Sequence, residues 1–333
     1  MIKHAIQNNK LTSWYTSYKK GFFCSLLIAF SASFMASHYG GAVMLYALLL
    51  GIAFHFLYED SSCKKGIEFA SNTVLKIGIA LLGLRISFSQ ITQLGILPVC
   101  IIGIAIGLTI ALGVFLSKKT GFSSSFGVLI GGAVAICGAS AAVAIASLLP
   151  KTAHLKRDVI MTVAIITSLS TLAMISYPII VSLSEFDTFE TAFFLGGTIH
   201  DVAQVIGAGY MLSNEVGQTA VIVKLVRITF LTPVMLLVGL AYRNQEASKK
   251  VMIPFFLIMF FVCVGVANLN VLPQEVIQFT EGISRWCIVI AISALGLKTS
   301  LKELSVAGFR PLCLIAILTV SLAILIWSFC FIL

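Results

Sequence analysis

Eleven apolar stretches, most of them close to the length that a helix needs to cross a bilayer, constrain this chain more than any other feature. Only 11% of its residues are charged and 59% are hydrophobic, whereas about 25% of residues are charged in a typical soluble domain. Inside a bilayer every backbone polar group must find a partner within the protein, which favours helices. We therefore expect an all-α polytopic membrane protein with about 9–11 transmembrane helices. The stretches are 21–36, 41–57, 73–84, 95–117, 126–149, 159–183, 191–212, 220–240, 251–267, 283–297 and 308–333.

The chain also contains an internal repeat. Residues 68–102 align with residues 281–315 without a gap, so that Gly296 lies 213 positions after Gly83 and Lys298 takes the place of Arg85. Apolar internal repeats are typical of secondary transporters, in which two related halves move about a central site. We expect a cytoplasmic segment at 1–20 and a single transmembrane domain at 21–333, with repeat halves at about 41–183 and 191–333. A cleaved signal peptide at the N-terminus is an alternative.

The distribution of basic residues predicts the topology. Basic residues favour the cytoplasmic side, and Lys118, Lys151 and Arg243 with Lys249 and Lys250 all reach that side only if 126–149 and 191–212 enter the membrane and turn back. The result is nine spans and two re-entrant segments from opposite faces. In this topology the 213-residue repeat is inverted.

The two re-entrant segments are rich in glycine and other small residues. They read GGAVAICGASAAVA at 131–144 and GGTIHDVAQVIGAG at 196–209. Broken helices at membrane depth need such residues, and the free N–H groups at half-helix N-termini attract anions. Close helix packing through small residues is the alternative. The predicted substrate-binding residues here are Gly131, Gly132, Cys137, Gly138, Ser140, Gly196, Gly197, Thr198 and Gln204.

Ionisable residues in and after the second segment point to the chemistry. An acid within an apolar stretch is typical of a functional site, so we expect His200 and Asp201 to couple protons; the alternative is that they cap a helix at the water interface. Lys224 and Arg227 lie three residues apart on one helix face and are predicted to bind substrate. Snorkelling to the surface is the alternative for these two cations. Lys156 and Arg157 follow the first segment in a similar pattern, and Lys76 and Arg85 are weaker candidates.

These motifs resemble the sulfate exporter family of bacterial inner-membrane proteins over most of the chain. The most specific strings are CGASA at 137–141 and TIHDVAQV at 198–205, and the resemblance extends to LLGLRIS at 81–87 and VKLVRITFLTPV at 223–234. It implies a multi-pass transporter in the bacterial inner membrane and supports transport more strongly than sulfate as the substrate.

The function expected from the sequence is alternating-access transport of a small anion such as a sulfate-like oxyanion, a sulfonate or an organic acid, with proton coupling. A cation/proton antiporter that uses Asp201 is the main alternative, and an intramembrane hydrolase with Ser140 as nucleophile and His200 as base is a weaker one. We expect no enzyme activity, no cofactor, no metal and no nucleic-acid partner. The expected partners are the anionic substrate and the lipid bilayer, with a homodimer left open.

Overall fold

The structure, a computed structural model, describes residues 2–242, 255–269, 272–299 and 308–332, and only the backbone of 2–16, 90 and 93. Arg243, Lys249 and Lys250, which entered the topology prediction, lie outside the described residues. Every regular element in the described ranges is helical. The helices are α1 (Ile2–Tyr39), α2 (Val43–Ala53), α3 (Phe56–Glu59), α4 (Ser61–Phe69), α5 (Leu75–Leu82), α6 (Phe88–Gln93), α7 (Ile96–Lys119), α8 (Ser124–Ala135), α9 (Ala139–Ala146), α10 (Leu155–Ser182), α11 (Thr188–Thr198), α12 (Val202–Leu212), α13 (Asn214–Thr229), α14 (Leu231–Ala241), α15 (Phe255–Asn268), α16 (Gln274–Lys298) and α17 (Phe309–Cys330).

The all-helical membrane fold predicted from the sequence is confirmed, with a smaller number of long spans. In the described part of the chain, seven helical segments are long and apolar enough to cross a membrane, where we expected nine spans. The two other predicted spans form the shorter helices α2 and α15. These two helices are related by the 213-residue register, so the repeat is kept in the short helices as well.

Contacts among the helices divide the chain into two compact units, and each unit contains segments from both halves of the sequence. Unit 1 comprises Met1–Ser87 and Ile258–Ser300, and unit 2 comprises Phe88–Leu257 and Leu301–Leu333. The sequence predicted a single domain at 21–333, without a division into these units. Both copies of each repeated helix fall in the same unit, α5 with α16 in unit 1 and α7 with α17 in unit 2.

In unit 1, helices α5 and α16 pack against each other in opposite directions. The Ser284 hydroxyl donates to the carbonyl oxygen of Gly78 at 2.7 Å. Arg85, just after the C-terminal end of α5, pairs with Glu281 at 2.9 Å. Residue numbers therefore increase along α5 in the direction in which they decrease along α16. This antiparallel packing agrees with an inverted repeat, which stays a prediction for the whole chain.

In unit 2, the equivalent helices α7 and α17 begin in the same way. Gly95 and Gly308, which are register partners, lie just before these helices with positive φ values of 71° and 86°. Glycine adopts that conformation without steric cost. Pro98 and Pro311 follow in the first turn, where a proline lacks no hydrogen bond that the helix needs.

The first Gly-rich segment is a re-entrant hairpin, which we call hairpin 1 (α8 and α9). The chain turns at 136–138, and a Cβ atom built on Gly132 would contact the side chain of Ile145. In one continuous helix these residues would lie about 20 Å apart, at 1.5 Å per residue. The contact shows that α9 folds back along α8, so the prediction of a broken or re-entrant segment is confirmed.

The second Gly-rich segment forms hairpin 2 (α11 and α12), which turns at 199–201. Gly196 packs against Ala220, and Gly209, although thirteen residues further along the chain, packs against Gly217 of the same helix, α13. Two positions that are close together on α13 thus contact both arms, which requires the chain to turn back between them. A capping box of Asp187 and Glu190 starts α11.

The two hairpins extend from opposite ends of α10. Hairpin 1 is followed by the first residues of α10, and its tip lies against the middle of α10, with Gly138 beside Ile166. Hairpin 2 follows the last residues of α10, and its tip also lies at the middle, where Ser170 binds His200. Unit 2 therefore brings two hairpin tips together halfway along a helix about 42 Å long.

Candidate functional site

The candidate site is the point in unit 2 where the tips of hairpins 1 and 2 meet. A Cβ atom on Gly138 would lie 3.4 Å from the Cβ of His200, so the two turns touch directly. Gly138 has φ 62° and ψ −123°, which side chains disfavour. Four helix ends converge here. Two are carbonyl ends, of α8 and α11, and two are N–H ends, of α9 and α12.

Arg227 binds both hairpins through main-chain carbonyls. In hairpin 1 its Nε and Nη2 atoms donate to Ala135 at 3.0 and 2.7 Å, and Nη2 also donates to Val134 at 3.0 Å. In hairpin 2 its Nη1 atom donates to Gly196 at 3.1 Å and to Ile199 at 3.2 Å. A guanidinium has five N–H groups, and these five bonds use all of them. The side chain is 1% exposed.

Lys224 bridges the same two hairpins. Its Nζ atom donates to the carbonyl oxygen of Ile136 at 2.8 Å and to that of Ile199 at 2.7 Å. Each of these residues directly follows the first helix of its hairpin, so the ammonium joins two equivalent positions. Positive charge at the carbonyl end of a helix is stabilising because of the helix dipole. Lys224 and Arg227 are therefore shared caps for α8 and α11, and the snorkelling alternative is wrong because both side chains are buried.

His200 is fully buried in hairpin 2 and has a partner on each ring nitrogen. Nδ1 lies 3.2 Å from the carbonyl oxygen of Val134, and Nε2 lies 3.0 Å from the Thr319 hydroxyl. A carbonyl only accepts, so Nδ1 carries the proton in this contact. The Thr319 hydroxyl also lies 2.9 Å from the carbonyl oxygen of Ile315, and its single proton can serve only one of these two contacts.

Asp201 and Gln204 begin the second arm of hairpin 2. Asp201 is the N-cap of α12, and its carboxylate accepts from the Ala203 N–H at 3.3 Å while it remains partly exposed. This is the helix-cap role that we held as the alternative; the proton-coupling role stays a prediction. The Gln204 amide nitrogen donates to the Thr171 hydroxyl at 2.9 Å, and its buried Oε1 has no partner in the described part of the structure.

The remaining predicted residues divide between packing and the tip. Gly131, Gly196 and Gly197 face the Ile110 Cα, the Ala220 carbonyl and the Ile326 side chain, so their small size serves helix packing. Gly132 faces Ile145 within hairpin 1. The Thr198 hydroxyl donates to the carbonyl of Phe194 at 2.6 Å.

Cys137 and Ser140 lie on either side of Gly138 at the start of α9. Cys137 is buried, with 6% of its surface exposed. Ser140 is exposed and is the second residue of α9. The N-cap residue Gly138 has no side chain to occupy the first N–H groups of α9. Of the two N–H ends at the tips, that of α9 is therefore the one without a capping carboxylate.

Two of the other candidate cations, Lys156 and Arg157, do not reach the tips. Lys156 and Arg157 are exposed at the start of α10, so the expectation that each half places its own cations beside its Gly-rich tip is wrong for the first half. Lys76 is exposed and Arg85 pairs with Glu281, both in unit 1.

Three hydroxyl residues at the site were missed by the sequence analysis. Ser170 Oγ accepts from the backbone N–H groups of His200 and Asp201, both at 3.2 Å, and Thr171 and Thr319 bind Gln204 and His200. The cluster TSLST at 167–171 within an apolar run was an available signal. Thr319 lies in an apolar helix with Ser321 and Ser328, where no such cluster marks it.

The charged side chains at the tips lie at different helix ends. Lys224 and Arg227 offset the partial negative charge at the carbonyl ends of α8 and α11, and Asp201 offsets the partial positive charge at the start of α12. The N–H groups at the start of α9 remain without such a carboxylate. The start of α9 thus offers N–H groups of the kind that bind anions in proteins.

Comparison with known proteins places the chain among membrane proteins. The family described as conserved hypothetical protein 698 matches residues 20–315. A UPF0324 membrane protein of Chlorobaculum tepidum is 48% identical over 93% of this chain and 88% of its own length. The UPF0324 membrane protein TauZ of Paracoccus pantotrophus is 43% identical over 92% of this chain and 93% of its own length. The UPF0324 inner membrane protein YeiH of Escherichia coli K12 is 33% identical over 84% of this chain and 82% of its own length. No solved structure matches the chain.

These relatives cover nearly all of the chain, and the seven long apolar helices fit the same membrane setting. The chain belongs to the UPF0324 family of membrane proteins and is a multi-pass protein of the bacterial inner membrane.

Proposed function

We propose that this protein is a secondary transporter that moves a small anion across the inner membrane by alternating access. The observation that carries the proposal is the meeting of hairpins 1 and 2 at the middle of α10, held by Lys224 and Arg227. Half-helix ends at membrane depth are the usual binding elements of secondary transporters. A fold that needed only to span the membrane would have no use for two buried turns and two buried cations.

The anion in this proposal binds at the N–H end of α9, and Arg227 does not bind it directly. All five N–H groups of Arg227 are already donated to carbonyls. Lys224 donates two of its three N–H groups to carbonyls, so it has one left for a ligand. The Ser140 hydroxyl and the N–H groups beside it supply further donors. We propose a sulfate-like oxyanion, a sulfonate or an organic acid as the substrate class.

The hydrolase alternative lacks support from the geometry. His200 is fully buried and its ring nitrogens contact Val134 and Thr319, whereas Ser140 is exposed. A general base must lie within hydrogen-bond reach of its nucleophile. The proposal therefore assigns no enzymatic step to this pair.

A binding screen tests the proposed function. The purified protein would be heated with sulfate, sulfite, taurine, acetate or chloride, because a ligand that binds the native state raises the unfolding temperature. We expect at least one oxyanion or sulfonate to raise it and to be accumulated by liposomes that contain the protein. If no anion binds and sodium or potassium ions alone drive proton movement, the antiporter alternative replaces the proposal.

Ser140→Leu is the variant that locates the site, with Ser147→Leu as its matched control. Both serines are exposed and lie at the two ends of α9. Leucine at 140 places an apolar side chain over the N–H groups, so we expect anion binding to weaken at least tenfold, while Ser147→Leu binds normally. Equal affinities in the two variants would remove the start of α9 from the site.

A further inference from the structure

The 213-residue register continues upstream of the repeat found in the sequence, and it is visible in reciprocal contacts within unit 1. His55 and Asn268 are register partners. His55 Nδ1 lies 2.7 Å from the carbonyl oxygen of Leu297 at the end of α16, and Asn268 Nδ2 donates to that of Ile86, just after α5, at 3.1 Å. Each copy therefore contacts the end of the other copy's helix.

The glycines of the repeat pack in the same reciprocal way. A Cβ atom on Gly83 would lie 2.5 Å from the carbonyl oxygen of Phe260 in α15, and a Cβ atom on Gly296 would contact that of Leu48 in α2. Backbone approaches this close require glycine. A contact made by one copy in unit 1 is thus expected to have a counterpart in the other.

Two contacts break this rule. Ser284 donates to Gly78 in the other copy, whereas its register partner Ser71 donates to the Glu68 carbonyl in its own copy. Arg85 and Glu281 form an ion pair at 2.9 Å, and their register partners are Lys298 and Glu68. Within the described ranges Glu68 and Lys298 do not pair, and Glu68 accepts instead from the Tyr58 hydroxyl at 3.1 Å. The antiparallel packing of α5 and α16 places the two sites at opposite ends of the helix pair.

The physical cause of the asymmetry is a π-helical turn, Ala70–Val74, that begins two residues after Glu68. The equivalent residues 283–287 lie within the uninterrupted helix α16. A π turn holds one extra residue per turn, so it rotates the preceding helix α4 about the helix axis relative to α5. Such turns are frequent at functional sites. It sets Glu68 at a different angle from that of Glu281.

We propose that unit 1 has a second conformation in which Glu68 pairs with Lys298 and the Arg85–Glu281 ion pair is broken. Arg85 and Glu281 are partly exposed, so their ion pair can open without leaving a charge fully buried, and in a repeat the conformation of one copy is available to the other. Exchanging the two copies' conformations moves the ion pair from one end of the α5 and α16 pair to the other. The inference rests on the proposed function for its role, as the step that alternates access.

Cross-linking in native membranes tests this proposal without any substrate. In a background without native cysteines, the pairs Arg85→Cys with Glu281→Cys and Glu68→Cys with Lys298→Cys would each be treated with a short bis-maleimide and measured by mass spectrometry. We expect both pairs to cross-link. Gly78→Cys with Cys287 restored, and oxidised to a disulfide, is the control, because a Cβ on Gly78 would lie 3.0 Å from the Cys287 Cβ at the middle of the helix pair.

The decisive measurement combines the two end pairs in one protein. The 85–281 pair is cross-linked first and the 68–298 pair second. The second bis-maleimide carries a heavy isotope, so that mass spectrometry tells the two cross-links apart. We expect the 85–281 cross-link to reduce the 68–298 cross-link at least fivefold and the 78–287 disulfide to leave it unchanged. A 68–298 cross-link that never forms, or that forms equally in the locked protein, overturns the proposal. Alternating cross-links in a protein that binds no anion would instead overturn the proposed function and keep this inference.

Discussion

The guanidinium of Arg227 is the side chain whose removal has the clearest expected consequence. Arg227→Gln would leave carbonyls of both hairpins without partners in a buried site, and each buried group left unpaired costs about 1–3 kcal/mol. We expect a loss of at least about 3 kcal/mol in the free energy of unfolding, measured by denaturant titration in detergent. Arg157→Gln is the control because Arg157 is exposed. Equal losses in the two variants would mean that Arg227 does not hold the hairpins.

Asp201 gives a second prediction at the residue scale. Asparagine is as good an N-cap as aspartate, so Asp201→Asn should unfold like the wild type, while Asp201→Ala should lose about 1 kcal/mol. If Asp201 also couples protons, Asp201→Asn should move the anion without the pH dependence of the wild type in liposomes that contain a pH-sensitive dye. Full proton-coupled flux in Asp201→Asn would leave Asp201 with the helix-cap role alone.

The sequence identified the ionisable residues that lie at the site, but it did not predict their binding partners. Lys224, Arg227, His200 and Asp201 stood out because ionisable groups are rare in apolar stretches. Their partners are carbonyl oxygens, which every residue has, so no sequence pattern marks them. Arg227 was therefore expected to bind a ligand, and its actual acceptors appear only when hairpins 1 and 2 are packed together.

At the scale of elements, the turn of hairpin 1 depends on one glycine. Gly138→Ala would force a side chain into φ 62° and place a Cβ atom 3.1 Å from Ile166. We expect it to destabilise the protein by about 1–3 kcal/mol, since such strained backbone positions cost that much. Gly107→Ala is the matched control: it lies within α7 with nothing within 4 Å, and we expect it to stabilise the protein by about 0.5–1 kcal/mol. Unfolding temperatures in detergent measure both, and a neutral Gly138→Ala would contradict the strained turn.

The existence of the hairpins was predictable, whereas their division among units was not. Glycine pairs and the distribution of lysines predict segments that turn back, since only then do the basic residues share one side. The assignment of α5 and α16 to one unit and of α7 and α17 to another depends on long-range packing between the two halves. Periodicity along the chain reports which face of a helix is apolar and leaves its packing partner open.

At the scale of the whole molecule, the fold makes a prediction about the two faces of the membrane. Hairpin 1 starts and ends at the same end of α10, because α9 folds back along α8, and hairpin 2 starts and ends at the other. Lys118 and Lys151, before and after hairpin 1, should therefore lie on one side, which the positive-inside rule makes cytoplasmic. Glu185 and Asn214, around hairpin 2, should lie on the other.

Cysteine labelling checks this arrangement in a background without native cysteines. All four positions are exposed, and Glu185 is chosen over the nearby Asp187 because Asp187 caps α11. In intact cells we expect a membrane-impermeant maleimide to label Glu185→Cys and Asn214→Cys, and to reach Lys118→Cys and Lys151→Cys only after the membrane is opened. Labelling of Lys118→Cys and Lys151→Cys from opposite sides would mean that α8 and α9 cross the bilayer one after the other. That result would contradict the contact between Gly132 and Ile145, and with it the meeting of two hairpin tips on which an anion site depends.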